Sequence, residues 1–313
     1  MARVIIMLLL LAAPWLTAAE WTWKTEKDKT LELHGPEGLV WRLNYAKELP
    51  QLHFDPLRTG DGVNTTWSSP PDHKWHYGLW YSWKSINGTN YWELARDKSG
   101  YPKGRTIIED FEILEKSPER ARIKATLSLR PGKDADPVAS EILLIDIETP
   151  RADGSYAIDW RQSTTALFDL ELGRSSGYGG FSIRGGKNWT EPQFLSSHGK
   201  LSTFERHAKV EDRAKWMDMS GISNGKPVGV TFFDHPSNPR HPTYWFLVNR
   251  TYNHRKTGKQ WPFFYNNAAL VGKEVYKLPK GETLTQFYRA YIHPGRGDVE
   301  TLEAEYQRFS AMK

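Results

Sequence analysis

The sequence predicts an all-β fold, a large antiparallel two-sheet sandwich that is supersandwich-like and carries one C-terminal helix. Short apolar or alternating segments recur at roughly ten-residue spacing, with Gly, Pro, Asn and Asp between them. No helical segments connect them, as parallel strands would require. About 14 such segments are too many for a seven-stranded sandwich, so two large sheets are favoured.

The first predicted hairpin illustrates the pattern. Residues 30–33 alternate polar and apolar side chains, a Gly-Pro-Glu-Gly turn follows, and residues 39–43 return as a second strand. A short strand at 51–54 ends at Asp55-Pro56, because proline has no N–H to donate to a ladder.

Turn-forming residues also separate the later strands, and Tyr156, Ile158 and Trp160 alternate on one face of one of them. These strands are predicted at 105–114, 121–129, 138–148, 155–165, 181–184, 227–233, 243–248, 263–269 and 283–292.

One helix is predicted at the C-terminal end, where Asp298 is the expected N-cap. Its apolar side chains share one face and should pack against a sheet: Val299, Leu302, Tyr306, Phe309 and Met312. Without a linker, repeat or low-complexity segment, residues 20–313 are predicted to form a single β-sandwich domain.

Residues 1–19 have the features of a secretory signal peptide. Arg3 precedes an apolar run at 4–11, and small residues up to Ala19 offer a cleavage site. That run is too short to span a bilayer, so no membrane span is expected. We therefore expect an exported protein that is periplasmic or extracellular.

The amino-acid composition limits the classes of protein to which the chain can belong. Hydrophobic residues make up 39% and charged residues 25% of the chain, as in ordinary globular proteins, whereas aromatic residues reach 13% with 14 Trp. The formal charge of +5 is dispersed, which argues against nucleic-acid binding and permits an acidic carbohydrate. The absence of cysteine excludes disulfides and thiolate chemistry.

Residues 70–92 form the segment expected to carry the chemistry. Asp72, His73 and His76 lie in a polar loop directly ahead of an aromatic strand. A loop that delivers Asp and His to the edge of such a strand is a typical site geometry, although aromatic strands are usually core.

The Asn87-Gly88 pair predicts a two-residue hairpin turn within this segment. Both positions suit the positive φ angles of a type I′ turn. We expect this turn to join strands that contain Trp80 and Trp92.

Two further segments place polar residues where a strand meets a loop. The glycine-rich stretch 177–184 contains Tyr178 and ends at Arg184, and a later strand leads into Asp234-His235. Side chains at sheet ends leave the core but keep a rigid mounting.

Three chemistries fit these residues. One is a divalent metal held by His73, His76 and Asp72, with His235 or His241 as an alternative third ligand. Another is acid–base catalysis by histidine with no metal or other cofactor, which we favour. The third is sugar recognition. The expected sugar-binding residues are Trp80, Trp83, Trp92, Asn87 and Trp245.

Several motifs resemble the "methane oxygenase PmoA-like" family of exported bacterial proteins of unassigned function. They are Phe54-Asp55-Pro56-Leu57, the stretch from Pro71 to Trp80, Asn87-Gly88 with Trp92, Tyr178-Gly179-Gly180 with Arg184, Trp216-Met217-Asp218, Gly229-Val230 and Asp234-His235-Pro236. Tyr77 departs from the arginine expected there. The resemblance implies a setting of polysaccharide degradation rather than a reaction.

We therefore predict a carbohydrate-active enzyme, a lyase or a glycoside hydrolase, that acts on an oligosaccharide or polysaccharide. In the lyase, Arg184 would neutralise a uronate carboxylate and His73 or His76 would remove the α-proton. Tyr178 or a second histidine would then protonate the leaving oxygen. The alternative is a non-catalytic carbohydrate-binding protein.

The hydrolase would need two carboxylates across the scissile bond, for which Asp72 and Asp234 are the candidates. In either enzyme, the candidate catalytic residues should converge on one pocket: His73, His76, Tyr178, Arg184 and His235.

Overall fold

Two antiparallel nine-stranded sheets form the body of the described chain, as a computed structural model of the protein shows. The structure describes residues 21–93, 98, 103–173, 177–199, 201–202, 209–211, 213–254 and 256–313. The predicted all-β sandwich is confirmed. The predicted signal peptide lies outside the described residues.

The strands in chain order are β1 (Thr22–Glu26), β2 (Thr30–Gly35), β3 (Gly38–Asn44), β4 (His53–Leu57), β5 (Leu79–Ser82), β6 (Ser85–Ile86), β7 (Thr89–Asn90), β8 (Arg105–Lys116), β9 (Arg120–Arg130), β10 (Ala139–Glu148), β11 (Tyr156–Ala166), β12 (Leu170–Leu172), β13 (Gly180–Arg184), β14 (Trp189–Ser196), β15 (Leu201–Ser202), β16 (Lys209–Glu211), β17 (Trp216–Ser223), β18 (Lys226–Asp234), β19 (Trp245–Asn253), β20 (Gln260–Ala268), β21 (Tyr276–Leu278) and β22 (Thr283–Pro294). The helix α1 spans Val299–Ser310.

The first sheet has the strand order β1-β2-β3-β4-β5-β13-β20-β19-β16, and the second has β15-β14-β17-β18-β22-β11-β10-β9-β8. A small third sheet has the order β21-β12-β6-β7. The main hydrophobic core contains side chains of both large sheets, among them Phe181 of the first and Trp160, Phe232 and Tyr288 of the second. Their apolar inner faces therefore pack against each other.

The predicted Asn87-Gly88 turn is confirmed, but the strands that it joins differ from those expected. The two residues have φ angles of +49° and +80° and connect β6 to β7. Trp80 lies instead in β5 of the first sheet, and Trp92 follows β7 outside any strand. The hairpin belongs to the third sheet because the amide of Asn87 binds the backbone beside β12.

A second aromatic cluster covers part of the outer face of the first sheet. Alternation along β20 sends Phe264 into the main core, whereas Phe263 and Tyr265 point outwards. We call the outward group the outer aromatic cluster; it consists of Tyr77, Trp80, Trp92, Val248, Phe263 and Tyr265, with Trp75, Tyr178 and Phe246 packed against it.

Helix α1 covers the outer face of the second sheet. Asp298 caps it by accepting a hydrogen bond from the backbone N–H of Thr301 (2.9 Å), as predicted. Leu302, Tyr306 and Phe309 are buried, which confirms the predicted apolar face. No helix among the residues described is long and apolar enough to cross a membrane.

The prediction that Val299 and Met312 belong to the packed face of the helix is wrong. Val299 and Met312 are 42% and 37% exposed, because the sheet meets only the middle of the helix and the helix ends before Met312. A charged residue takes a place on the buried face instead: Glu305 is fully buried and accepts a hydrogen bond from Arg289 (2.7 Å).

Candidate functional site

A tight turn places His73 and His76 over the outer aromatic cluster. The backbone N–H of His73 donates to Pro70 and that of His76 donates to His73, both at 3.0 Å. These bonds bring the two imidazole rings to 4.8 Å. Gly78 then leads into β5 with a φ of +82°, where any Cβ would lie 2.3 Å from the carbonyl oxygen of Phe54. Only glycine fits there.

Asp72, His73 and Arg184 form a connected group at the centre of this site. His73 Nδ1 donates to Asp72 Oδ2 (2.8 Å), and Arg184 Nη2 donates to Asp72 Oδ1 (3.0 Å). Arg184 Nη1 lies 2.9 Å from Oδ2 as an ion pair, although its N–H is not aligned for a hydrogen bond. The carboxylate thus holds both the imidazole and the guanidinium.

The hydrogen bond to Asp72 fixes the tautomer of His73. Burial alone would raise the pKa of the carboxyl group, but the hydrogen bonds and charges of His73 and Arg184 outweigh burial and lower that pKa. An ionised carboxylate only accepts hydrogen bonds, so neutral His73 carries its proton on Nδ1. Its side chain is 22% exposed, and Nε2 has no hydrogen-bond partner among the described residues.

His76 is held differently. It is buried against the rings of Tyr265 (5.2 Å) and Trp80 (5.1 Å), and its Nδ1 lacks a partner in the described structure. Burial, with the charges of Arg184 and His73, lowers its pKa well below the usual value. His76 therefore remains neutral at physiological pH and packs as part of the aromatic cluster.

The predicted role of Arg184 is wrong. Its side chain is completely buried, Asp72 neutralises its charge, and Nη2 also donates to the carbonyl of Pro262 (2.9 Å). Burial, mainly, lowers its pKa to about 10. No surface of the guanidinium is available to a substrate carboxylate, so Arg184 positions Asp72 instead.

Tyr178 lies on the far side of the same cluster. Its ring is 5.3 Å from Trp92 and 5.0 Å from Phe246, and its hydroxyl donates to Glu93 (3.2 Å). Burial, reinforced by the charge of Glu93, raises the pKa of this hydroxyl. Tyr178 thus packs against the outer aromatic cluster, with its proton directed to a carboxylate.

His235 does not join the other candidates, contrary to prediction. Its Nδ1 is 2.7 Å from Ser237 Oγ, and its Nε2 is 3.1 Å from the carbonyl of Met312. Its ring packs against Phe287 and Phe309. The reason is topological, because β18 belongs to the second sheet and α1 covers its end.

Asp234 is also removed from Asp72, so the predicted hydrolase pair is wrong. Asp234 is buried at the end of β18 and accepts hydrogen bonds from His241 (2.7 Å), Asn238 (2.7 Å) and the N–H of Thr243 (2.8 Å). The carboxylate orders the loop after β18. It leaves no free oxygen to act across a bond from Asp72.

Three of the predicted sugar-binding residues are structural. Trp83 and Trp245 lie in the main core, where their indole N–H groups donate to Glu141 and to the carbonyl of Ala214. Asn87 uses its amide to hold the third sheet. Alternation explains the error, because these indoles point inward, away from the outer face.

Trp80 and Trp92 do belong to the outer aromatic cluster, but they are only 1% and 4% exposed. Neither offers a face for stacking on a sugar. The partly exposed rings beside His73 are instead Trp75 (5.3 Å) and Tyr252 (6.2 Å). Tyr252 could have been found only by knowing that alternate residues of β19 reach this face.

Metal ligation finds no support in this geometry. Within the described ranges, no three His, Asp or Glu side chains are placed to share an ion. His73 Nδ1 and His241 Nδ1 are each bonded to an aspartate instead.

A cleft of about 900 Å³ opens on the other side of β20. Its lining includes Trp189 of β14, Thr251 of β19, and Gln260 and Phe264 of β20. Arg250 also lines it. Ligand sites of this size are common in proteins, and this one mixes aromatic, amide and charged groups.

Several solved structures resemble this fold. A protein described as an aldose 1-epimerase from Klebsiella pneumoniae is 12% identical, with a TM-score of 0.49 over 94% of this chain and 88% of the other. A galactose mutarotase-related enzyme from Lactobacillus acidophilus is 9% identical (TM-score 0.38; 90% and 99% covered). A heparan sulfate lyase from Pedobacter heparinus is 10% identical (TM-score 0.39), and the match covers 90% of this chain but 36% of the lyase.

No curated protein sequence matches the chain. A family model does match, over residues 30–307, and it is described as a family of unknown function, DUF6807. The protein belongs to the DUF6807 family.

Proposed function

We propose that the protein is an exported carbohydrate-active enzyme in which His73 is the base of a proton transfer, and that the reaction is β-elimination. The observation that carries this proposal is the Asp72–His73 hydrogen bond of 2.8 Å. A buried carboxylate that holds Nδ1–H leaves Nε2 as an oriented proton acceptor with an exposed edge. Proton transfer by such a group typically contributes about 10²–10⁴ to the rate.

The elimination proceeds without any further reactant. His73 Nε2 takes the proton from the carbon next to a uronate carboxylate, and the electron pair of the broken C–H bond forms a C=C bond. The bond from the adjacent carbon to the glycosidic oxygen breaks. The imidazolium of His73 then returns the proton to that oxygen.

A sugar substrate is supported by the surroundings of His73. Trp75 and Tyr252 present partly exposed rings beside the imidazole, and rings of this kind stack on the apolar faces of sugars. Hydrolysis is disfavoured because the second carboxylate that it needs, Asp234, lies against the other sheet under α1.

Turnover of a uronate glycan panel by the wild type and by His73→Ala tests the proposal. The new double bond absorbs in the ultraviolet, so elimination is measured directly. We expect wild-type cleavage and a loss of about 10²-fold or more in His73→Ala.

His34 supplies a matched control, since it pairs with Glu32 at 2.7 Å and is 20% exposed. His34→Ala should retain full activity. Equal activity of the two variants would overturn the assignment of His73. Binding without turnover by the wild type would support the alternative of a non-catalytic carbohydrate-binding protein, which the exposed rings of Trp75 and Tyr252 favour.

A further inference from the structure

Arg250 reaches the same outer face as His73. It pairs with Phe263 in the register between β19 and β20, and its Cζ lies 5.0 Å from the centre of that ring. The ring of His73 lies 4.5 Å from the same centre, and Arg184 Cζ lies 4.1 Å from it. One phenylalanine thus links the imidazole to two guanidinium groups.

The charges of these groups do not balance. Asp72 neutralises Arg184. Arg250 forms no ion pair or hydrogen bond with a side chain in the described part of the protein, and its Nε is buried without a partner. Burial, above all, and to a smaller extent the charge of Arg250 lower the pKa of Arg184. Among the described residues, the guanidinium of Arg250 therefore has no carboxylate partner beside His73.

We propose that Arg250 is the anion-binding residue of the His73 site and that its ligand is a carboxylate of the substrate. This inference rests on the proposed function and names its substrate class, a glycan that contains uronate. A guanidinium offers a planar fork of N–H donors that matches the two oxygens of a carboxylate.

Arg250 can bind the substrate carboxylate, as the elimination requires, whereas the buried Arg184 cannot. Removing the proton next to a carboxylate places more negative charge on its oxygens, and a bound cation stabilises that charge. Arg250 is partly exposed on the same face as His73, so the carboxylate of a substrate at His73 can reach its guanidinium.

The test measures binding by calorimetry with His73→Ala protein, so that turnover does not interfere. The probes are trisaccharides and tetrasaccharides of galacturonate, glucuronate and mannuronate, their carboxyl-reduced forms, and sulfated neutral oligosaccharides of equal length. Arg250→Gln removes the charge, and Arg250→Lys keeps it but removes the fork. Arg213→Gln is the matched control, because Arg213 Cζ also lies 5.0 Å from an aromatic ring, that of Tyr244.

We expect at least one uronate oligosaccharide to bind about tenfold or more tightly than its carboxyl-reduced form. Arg250→Gln should abolish that preference and its dependence on salt, and it should leave the affinity for the reduced form unchanged. The preference of Arg250→Lys for the uronate probe should lie between those of the parent protein and Arg250→Gln. Arg213→Gln should bind the probes as the parent protein does. Thermal unfolding of each variant shows whether the fold is retained.

Equal effects of Arg250→Gln and Arg213→Gln, a preference for sulfated or reduced probes, or binding of no uronate probe would each overturn the assignment of Arg250. The two proposals can fail separately. Carboxylate binding that depends on Arg250, with no turnover in the wild type, would refute only the role of His73. Turnover that depends on His73, with equal kcat/KM for the wild type and Arg250→Gln, would refute only the role of Arg250.

Discussion

The outer faces of the two large sheets each carry an aromatic cluster with buried charges, and the clusters differ in how the arginines and histidines beside them are paired. Under α1, Arg289 contacts both Asp159 and Glu305, and His235 uses both ring nitrogens. Over the first sheet, Arg184 is paired, but His73 Nε2 and Arg250 have no partner among the described residues. Paired arginines and histidines indicate a structural cluster, whereas a histidine and an arginine with open positions next to solvent indicate a site.

Removal of α1 should have the largest effect. A chain truncated after Pro294 loses Leu302, Tyr306 and Phe309 from the cluster of the second sheet and leaves Arg289 without Glu305. Since the loss of one partner of a buried ion pair alone costs about 3–5 kcal/mol, we expect the protein not to fold cooperatively. Circular dichroism during heating measures this. A truncated chain with an unchanged Tm would show that the cluster is dispensable.

Asp72→Asn should separate function from folding in the other cluster. Its side chain has one oxygen instead of two, so it cannot hold His73 and Arg184 as the carboxylate does. We expect kcat to fall about 10²-fold or more, with a smaller change in KM, because the orientation of the base is lost. The same kinetics with Asp234→Asn serve as the comparison. An equal loss of kcat in both variants would contradict the division between the two clusters.

Two positions on α1 test whether the helix packs against the second sheet as described. Leu302 is buried and Val299 is 42% exposed, one turn apart. Leu302→Ala should lower the free energy of unfolding by about 2–5 kcal/mol, whereas Val299→Ala should change it by less than about 0.5 kcal/mol. Chemical denaturation measures both. Similar values would mean that the helix does not pack as described.

A smaller effect should depend on pH. Glu141 lies between the sheets with hydrogen bonds from Thr164 and Trp83 but no cationic partner among the described residues, and burial raises its pKa to about 7 from 4.5. The folded protein therefore keeps a proton that the unfolded chain releases, so stability falls as pH rises from about 4.5 to 7.

Glu141→Gln removes this titration. Relative to the variant, the wild-type Tm should decline across that window and then run parallel above it. The buried carboxyl group of Glu305 behaves in the opposite way. Burial would raise its pKa, but Arg151 and Arg308 outweigh burial and lower it. A constant difference in Tm between wild type and Glu141→Gln at all pH values would refute the raised pKa.

Local sequence patterns predicted the fold class and the N-cap at Asp298, and they marked Asp72 and His73 as candidate site residues, because each of these depends on residues close together in the chain. They did not predict that Arg184 meets Asp72 from 112 positions away, since pairing over such a distance is set by sheet topology. For the same reason, they wrongly joined His235 to the site. The end of a strand shows where a side chain leaves a sheet, but not which sheet the strand enters.

Local sequence patterns also did not predict which face of each strand points to the core. Alternation divides Trp80 from Tyr81, yet it does not say which of them faces the core. Arg250 and Tyr252 were missed because nothing in their neighbourhood marks the outer face of β19. Trp80 was expected to meet a sugar, although the turn that carries His73 and His76 covers it.

The proposed base and the arginines of this site lie on different kinds of structural element. His73 and Asp72 lie on a short turn between Pro70 and Gly78, whereas Arg184 and Arg250 are mounted on β13 and β19. Under the proposed roles, changes to the turn should alter catalysis while leaving Arg250 in place on β19. A single replacement at position 73 should then convert the protein into a lectin-like reagent, and grafted turns would offer a route to new reactions on an unchanged recognition surface.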